Sequence, residues 1–382
     1  MIRKFFPVLF LFIISCKEKP AVNAPQAENP TAALKSNMFA EGFEIIEAAP
    51  GLTEIRVYTP WQGAEKTLSY AVADSSYDKP INQKAYDAVL RLPLSKIILT
   101  STTHIPALEA LDELNKVVAF PGTRYISSEK ARIMIEDGRI ADIGANESMN
   151  TEAVIDLSPD VIIGFAIDGN NRTYTNLEKI GIPVMYNGDW VEKHPLGKTE
   201  WIKVFGVLLD KQEKADSIFK QVAGEYKRVA KLASAVKQSP QVISGAMFKD
   251  IWYLPAGNSW AATLFADANA DYIWKDAEGS GSLALSLESV LEKGREADYW
   301  IGTAQFTSYE EMKDANEHYA RFEAFRDQKV YSSSLTTGET GGVIFYELGP
   351  HRPDMVLKDL VSILHPELLP GHSPYFFKPL ED

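Results

Sequence analysis

Hydrophobic residues recur at helical spacing over one long stretch near the middle of the chain, residues 195–237. Apolar side chains fall three or four positions apart there, which is the period of an amphipathic helix. Asp210, followed by Glu213, has the spacing of a capping box and divides the stretch in two. The pattern predicts a short helix ending near Leu209 and then a second helix, about 26 residues and roughly 40 Å long.

Short apolar runs alternate with helical segments on both sides of this long helix. In the first half, residues 96–100 and 160–164 read as buried strands, and residues 174–180 read as a helix. In the second half, we expect a strand over 241–246 and a continuous helix over 309–325. Such alternation is typical of parallel βα units. The sequence therefore predicts an α/β fold of two Rossmann-like lobes joined by a single long linker helix.

The N-terminus has the features of a bacterial lipoprotein signal. Arg3 and Lys4 precede an apolar run of about ten residues, too short for the roughly 20 that a membrane-spanning helix needs. The run ends in Ile-Ile-Ser-Cys, and Cys16 is the single cysteine of the chain. This ending resembles a lipobox, in which the cysteine receives a diacylglyceryl group. We expect Cys16 to be lipidated and the protein to be anchored to a bacterial membrane.

The chain can thus be divided into five predicted parts. Residues 17–42 begin with a stretch rich in Pro, Ala, Asn and Glu, which is typical of a flexible tether. The predicted parts are a signal peptide and lipobox (1–16), a tether (17–42), an N-terminal α/β lobe (43–195), connecting helices (196–237) and a C-terminal α/β lobe (238–382).

Composition supports a bilobed protein and argues against one class of partner. A chain of 382 residues with 45% hydrophobic residues is long enough for two domains. Its net charge of −13 disfavours a nucleic acid partner, because binding to a phosphate backbone depends on Lys and Arg. With one cysteine the chain can form no internal disulfide.

One short unit occurs in each half of the chain. Residues 149–164 and 285–302 both contain a polar capping residue, a glutamate in the first helical turn, and a strand that ends in glycine. The glutamates are Glu152 and Glu288. A glutamate at this position favours any helix by interacting with the helix dipole, so the alternative is a purely local role. The local role does not explain why the whole unit recurs.

Together these features resemble the iron-siderophore/cobalamin substrate-binding proteins of ABC importers, over about residues 50–370. The similarity rests on KIILTSTTH at 96–104, WIKVFGVLL at 201–209, the two glutamate units, and RPDMVLKDL at 352–360 with HPEL at 365–368. It implies a monomeric periplasmic protein that binds a metal chelate between its lobes and delivers it to an ABC permease. It also implies that Glu152 and Glu288 pair with arginines of the two membrane subunits.

The ligand-binding residues are predicted from strand ends, because ligands of open α/β sheets bind beyond the carboxyl ends of the strands. Aromatic side chains suit a large flat chelate, and an arginine suits an anionic one. The candidates are Trp61, Thr103, His104, Arg172, Trp190, Trp252, Tyr253, Trp260 and Phe306. Trp201 and Trp274 are predicted to belong to the core.

Two other functions remain open at this stage. A carrier of bare Zn²⁺ or Mn²⁺ would use clustered histidines, but the six histidines show no ligand spacing. An extracytoplasmic enzyme is the other alternative, although no Gly-x-Ser-x-Gly motif occurs. Gly197-Lys198-Thr199 is similar to the end of a phosphate-binding loop, but Glu192 stands where the first glycine is required. We predict no catalytic residue, no metal site and no cofactor.

Overall fold

The structure, a computed structural model, describes residues 37–382. The predicted signal peptide, Cys16 and residues 17–36 lie outside the described residues. The helices are α1 (Ile105–Ala110), α2 (Glu129–Glu136), α3 (Thr151–Leu157), α4 (Arg172–Lys179), α5 (Pro195–Glu200), α6 (Ile202–Leu209), α7 (Gln212–Ala233), α8 (Trp260–Asp267), α9 (Leu287–Gly294), α10 (Tyr309–Ala315), α11 (Glu323–Arg326), α12 (Ile344–Leu348) and α13 (Pro353–Leu364).

The strands are short. They are β1 (Phe43–Ala49), β2 (Leu52–Val57), β3 (Leu68–Ala73), β4 (Ala88–Arg91), β5 (Ile97–Leu99), β6 (Val117–Phe120), β7 (Ala141–Asp142), β8 (Gly144–Ala145), β9 (Ser148–Met149), β10 (Val161–Gly164), β11 (Val184–Tyr186), β12 (Gln241–Ile243), β13 (Ala246–Phe248), β14 (Ile251–Pro255), β15 (Asp271–Tyr272), β16 (Ser282–Leu285), β17 (Tyr299–Ile301), β18 (Val330–Ser332) and β19 (Lys378–Pro379).

Two five-stranded sheets confirm the predicted α/β fold. In the first lobe the order is β11-β10-β5-β6-β7, and every pair is parallel. In the second lobe the order is β15-β12-β17-β18-β19, with only β19 antiparallel. The strands β5, β10 and β11 are buried along their whole length, as expected for strands covered by helices on both faces.

A separate sheet of strands β1–β4 precedes the first parallel sheet. The chain leading into it is held by two buried carboxylates. Glu200 accepts hydrogen bonds from the backbone N–H groups of Met38, Phe39 and Ala40 at 2.8–3.0 Å. Glu192 accepts one from the N–H of Gly42 at 2.8 Å. The predicted tether is therefore corrected at its end, because residues 38–42 belong to the folded body.

The helix predicted as the linker corresponds to α7, which is somewhat shorter than predicted at 22 residues, or about 33 Å. One of its faces is buried against α6 and α13. The predicted capping box is wrong. Asp210 has a left-handed backbone (φ 56°) and ends α6, and the residue before α7 is Lys211, which makes no side-chain cap. Aspartate is one of the few residues other than glycine that tolerate this conformation.

Two predicted elements of the second lobe are interrupted. The predicted helix over 309–325 is broken into α10, a 3-10 turn and α11, because Asn316 is extended and its side chain accepts from the N–H of His318. The predicted strand over 241–246 is divided at Gly245, whose φ is 81° and whose N–H donates to the carbonyl of Gly302. A side chain there would meet the backbone of Tyr253. The chain therefore turns from β12 into β13.

Residues 37–382 belong to one compact unit, so the boundaries between lobes and linker remain predictions. Within residues 37–382, no helix has the length and apolar character needed to cross a membrane.

Candidate ligand-binding cleft

A cavity of about 800 Å³ lies at the carboxyl ends of β5, β6, β7 and β10. We call it the edge cavity. Ligands of parallel sheets bind at this kind of edge, where the strand order reverses. One wall comes from the first lobe and the opposite wall comes from residues 342–347. The lining residues are Thr100, Ser101, Thr102, Phe120, Pro121, Gly122, Arg124, Tyr125, Asp142, Gly144, Ala145, Asn146, Glu147, Phe165, Gly342, Val343, Tyr346 and Glu347.

The floor of the edge cavity is ordered by a buried polar network. The side-chain oxygen of Thr100 accepts a hydrogen bond from the N–H of Phe165 at 2.8 Å. The hydroxyl of Tyr174 lies 2.9 Å from the Thr100 hydroxyl and 2.6 Å from the side-chain oxygen of Asn146. Burial raises the pKa of Tyr174, so this phenol stays protonated and can donate. The strand ends are thereby held in a fixed arrangement.

Asp142 shapes the rim of the same cavity. Its carboxylate accepts from the N–H and hydroxyl of Thr123, both at 2.8 Å, and from the N–H of Gly144 at 2.9 Å. Burial acts to raise the pKa of Asp142, but these hydrogen bonds outweigh it and the pKa is lowered. Asp142 therefore remains ionised and fixes the turn that carries Arg124 and Tyr125.

A smaller cavity of about 240 Å³ adjoins the edge cavity. We call it the tryptophan cavity. The ring of Phe165, in the edge cavity, lies 5.8 Å from the ring of Trp190, in the tryptophan cavity. The walls of the two cavities therefore contact each other at this ring pair, and we treat the two together as the candidate cleft. The lining residues are Gln62, Trp190, Val191, Glu192, Pro255, Ser259, Trp260, Ala261, Ser280, Gly281 and Ser282.

Lys198 contacts both tryptophans of this cavity, although it does not line the cavity itself. Its ammonium donates to the carbonyls of Asp189 at 3.1 Å and Trp190 at 2.8 Å, and lies 5.6 Å from the ring centre of Trp260. Burial lowers the pKa of Lys198 to about 8, although the charges of Asp189 and Glu192 act in the opposite direction. The lysine is thus a positioning residue that is itself buried.

Residues 336–351 cross from the second lobe to the first, and we call them the crossing segment. The hydroxyl of Thr340 donates to the carbonyl of Arg124 at 2.7 Å, and Ser127 donates to the carbonyl of Gly342 at 3.1 Å. A side chain at Gly338 would lie 2.8 Å from the Cα of Ser127, so only glycine allows this approach. The contact brings residues 342–347 of the crossing segment to the edge cavity.

Glu347 is the centre of this contact. It is 4% exposed, and its two carboxylate oxygens accept from the N–H groups of Ser127 at 2.7 Å and Ser128 at 2.8 Å. Burial raises the pKa of Glu347 to about 7, and nearby Glu109 acts in the same direction, whereas the two backbone hydrogen bonds act against it. The contact between the lobes is therefore expected to depend on pH.

We expect Glu347 to stabilise the fold more at pH 5 than at pH 8. Its folded pKa of about 7 exceeds the ordinary value of 4.5, so its stabilising contribution is complete below pH 4.5 and is lost as pH rises through 7. The difference amounts to roughly 2–3 kcal/mol. Urea unfolding of the protein and of Glu347→Gln across this range measures it, since the variant cannot ionise.

Glu339→Gln is the matched control, because Glu339 is an exposed glutamate of the same crossing segment. It should leave the pH dependence unchanged. A wild-type protein that becomes more stable than Glu347→Gln as pH rises would contradict the expected direction.

A larger cavity of about 960 Å³ lies on the other side of the Glu347 contact. It is bounded mainly by side chains of α1, α2, α12 and the linker region. No strand of either parallel sheet ends there, so the rule that places ligands at strand ends does not select it. We therefore assign the ligand to the cleft formed by the edge and tryptophan cavities.

The predicted ligand-binding residues fall into two groups. Trp190 and Trp260 line the tryptophan cavity, and Trp61 is half-buried beside it, with its ring 5.4 Å from that of Tyr186. Thr103 follows the cavity residue Thr102 but does not itself line the edge cavity, and its carbonyl oxygen lies 2.6 Å from the Nε2 of His351.

The remaining candidates line neither cavity. His104 is fully buried, burial lowers its pKa to about 3, and its ring packs 5.9 Å from Phe205. Trp252 is fully buried and stacks on Trp300 at 5.1 Å, and Phe306 is buried against Tyr319 at 5.8 Å. Arg172 and Tyr253 are exposed outside the cleft. Trp201 and Trp274 are buried, as expected.

None of the residues that line the edge cavity was among the predicted candidates. Those with large or charged side chains include Phe165, Arg124, Tyr125, Tyr346 and Glu347. Phe165 could have been found, since it directly follows the strand that ends at Gly164. The short strand β6 was not among the predicted strands, so Arg124 and Tyr125, which lie on the turn after it, were not candidates. The crossing segment is rich in glycine and polar residues, and this composition does not indicate that the segment lines a cavity.

Glu152 and Glu288 occupy matching positions in the two lobes. Each is exposed in the first turn of its helix, after the capping side chains of Asn150 and Ser286. Hydrogen bonds from its own N–H and from the Ser286 hydroxyl lower the pKa of Glu288. Within residues 37–382 no ion pair forms to either carboxylate, and no group of three or more His, Cys, Asp or Glu is arranged to hold a metal ion.

The fold and the cleft are those of a bilobed binding protein. Residues 97–334 match the family described as periplasmic binding protein, and the match covers more than half of the chain. The protein belongs to this family. Its members are solute-binding proteins rather than enzymes.

Individual relatives share only a small fraction of identical residues with this chain. An uncharacterised lipoprotein of Methanocaldococcus jannaschii is 27% identical over 298 residues, which is 76% of this chain and 69% of that protein. A periplasmic haem-binding protein of Pseudomonas aeruginosa has a TM-score of 0.57 at 17% identity, covering 76% of this chain and 99% of that one. A periplasmic solute-binding protein of Staphylococcus epidermidis, described as a possible iron-binding protein, has a TM-score of 0.56 at 18% identity, covering 71% and 99%. These structures support the fold.

Proposed function

We propose that this protein captures a metal chelate, namely an iron siderophore, haem or cobalamin, and delivers it to an ABC permease. The observation that carries the proposal is the edge cavity, which has one wall from each lobe at the carboxyl ends of a parallel sheet. Phe120, Tyr125, Phe165 and Tyr346 give it aromatic surfaces on both walls. Such surfaces suit a large organic ligand.

We propose that the protein lies in the periplasm, anchored by its lipid to a bacterial membrane. This location rests on the lipobox-like sequence that ends at Cys16, and on the naming of a relative as a lipoprotein. Acylation of Cys16 would hold the folded body near its permease through residues 17–36. Mass spectrometry of the protein extracted from membranes tests this, because the lipid adds mass to the N-terminal peptide.

Delivery is proposed to use Glu152 and Glu288. Both carboxylates are exposed, unpaired among the described residues and carried by equivalent units of the two lobes. A permease built from two similar subunits could present one cation to each. Charged pairs at the rim of an interface fix orientation and accelerate association.

Tryptophan fluorescence tests the binding function directly. The chain from Lys17 onward, which retains every described residue, is titrated with ferric siderophores, haem, cobalamin and Zn²⁺. We expect saturable one-to-one quenching by a chelate that is recovered intact, because Trp190 and Trp260 line the cleft. Trp190→Phe should reduce the quenching, whereas Trp274→Phe, at a buried site outside the cleft, should not.

The alternatives give different results. Saturation by Zn²⁺ alone would replace the chelate with a bare cation, and chemical conversion of the bound chelate would indicate an enzyme. If no member of the panel produced saturable quenching, the proposed cargo would be overturned.

A further inference from the structure

We propose that the cleft selects its cargo by charge, accepting neutral or cationic chelates and discriminating against anionic ones. This inference rests on the proposed function and specifies the class of ligand for the same site. The sequence analysis nominated Arg172 for an anionic siderophore, but Arg172 lies outside both cavities. The residues that do line the cleft have the opposite balance of charge.

Carboxylates outnumber cations among the lining residues. Asp142, Glu147 and Glu347 line the edge cavity, where Arg124 is the one basic residue. Glu192 lines the tryptophan cavity, which includes no basic residue. The balance stays negative even if Glu347 is counted as neutral. The whole chain, at −13, adds a repulsive field for an approaching anion.

The two cations near the cleft are already engaged by the protein. The guanidinium of Arg124 donates to the hydroxyl of Tyr125 at 2.6 Å and lies 4.7 Å from the centre of the same ring. Lys198 lies behind Trp260 and is buried, and its ammonium donates to two backbone carbonyls. An anionic chelate would have to break the Lys198 contacts to reach that ammonium. At Arg124 it would compete only with the neutral hydroxyl of Tyr125, so this exposed guanidinium is the one lining charge that an anion could meet.

The carboxylates differ in how available they are. Asp142, Glu192 and Glu347 each accept several backbone hydrogen bonds. Glu147 is exposed, and within residues 37–382 its carboxylate makes no hydrogen bond or ion pair. Glu147 is therefore the charge that a bound chelate can meet directly.

The aromatic lining acts in the same direction as the carboxylates. The faces of Tyr125, Phe165 and Tyr346 carry negative electrostatic potential, which attracts cations and tolerates neutral groups. Neither cavity is lined by a cluster of arginines or lysines, the usual device for recognising a polyanion. Geometry, charge and aromatic chemistry thus favour the same ligand class.

Calorimetric titration with three ferric chelates of graded charge tests the inference. The probes are a cationic trishydroxamate (ferrioxamine B), a neutral trishydroxamate (ferrichrome) and an anionic tris-catecholate (ferric enterobactin). Neutral cobalamin is added as a chelate of another shape. We expect at least one neutral or cationic probe to bind, with a Kd at least about tenfold below that of the anionic probe.

Variants separate charge from shape. Glu147→Lys should weaken binding of a cationic probe by roughly fivefold to tenfold more than it changes binding of a neutral probe to the same variant. Glu292→Lys makes the same change of charge at an exposed residue outside the cleft, and should alter neither. Arg124→Gln removes the one basic residue that lines the edge cavity, and it should shift the affinity ratio further towards the cationic probe and away from the anionic one.

Two results would overturn the proposed preference for neutral or cationic chelates while leaving the carrier function in place. One is tighter binding of the anionic probe, and the other is an affinity ratio that moves towards the anionic probe in Arg124→Gln. If neither these four chelates nor haem bound, the proposed function itself would be overturned, and the charge preference with it.

Discussion

Chelate uptake should fall by about a hundredfold when Glu152 and Glu288 are both replaced by arginine, while chelate binding by the isolated protein changes by less than about twofold. Placing like charges together at an interface costs several kcal/mol, and each 1.4 kcal/mol is a factor of ten. Neither glutamate lines the cleft, so the variant should load cargo normally. Uptake by cells in which the variant replaces the natural copy measures the first quantity, and titration measures the second.

The structure explains why the effect should be confined to docking. Both side chains are exposed in the first turn of a helix that is capped by another residue, Asn150 or Ser286. Losing the glutamate therefore leaves the cap in place and costs little stability, within the 0.3–1 kcal/mol typical of a helix-dipole interaction. Glu152→Gln with Glu288→Gln removes the charges without reversing them, and should produce a smaller loss of uptake.

Glu310→Arg is a demanding control for this experiment. Glu310 is also an exposed glutamate in a first helical turn, that of α10, but it lies outside the unit that recurs at residues 149–164 and 285–302. It should leave uptake unchanged. If Glu310→Arg lowered uptake as much as the double variant, or if cargo binding fell in parallel with uptake, the two glutamates would not be docking residues.

Local patterns in the sequence were sufficient for the architecture. The buried strands β5 and β10 are continuous apolar runs, and Asn150 and Ser286 are recognisable helix caps. These signals depend on neighbours within a few residues. They failed at Asp210, where the same residue type suits both a helix cap and a left-handed helix end, and nothing local distinguishes the two.

The cleft was harder to predict because exposure depends on contacts that are distant in sequence. Trp252 and Tyr253 were both nominated, yet neighbours on one strand point to opposite faces, so at most one could have faced a ligand. In the structure Trp252 is buried and Tyr253 is exposed. Glu347 gave no signal, since its partners at Ser127 and Ser128 are more than two hundred residues away. The alternation of side chains along a strand would have excluded either Trp252 or Tyr253. The residues of the crossing segment could be placed at the edge cavity only once the fold was known.

Asp359→Ala should destabilise the protein by about 3–5 kcal/mol, which is a large part of the stability of a typical protein. Asp359 lies on α13 and is fully buried. Its carboxylate accepts from the N–H groups of Tyr375 at 2.9 Å, Phe376 at 2.6 Å and Phe377 at 3.3 Å, and lies 2.9 Å from the Nε2 of His372. Alanine would leave these donors buried without an acceptor. Urea unfolding measures the loss.

The residues that Asp359 holds are linked to the cleft by a chain of aromatic contacts. Phe377 packs 5.2 Å from Phe345, whose ring stacks at 5.7 Å on Trp260 in the tryptophan cavity. We therefore expect Asp359→Ala to shift the fluorescence of Trp260 and to weaken chelate binding as well. Asp359→Asn keeps one acceptor oxygen and should lose only about 1–3 kcal/mol. Asp314→Ala, at an exposed aspartate, should change stability by less than about 0.5 kcal/mol. If Asp359→Ala cost no more than that control, residues 372–377 would be held by their aromatic packing alone.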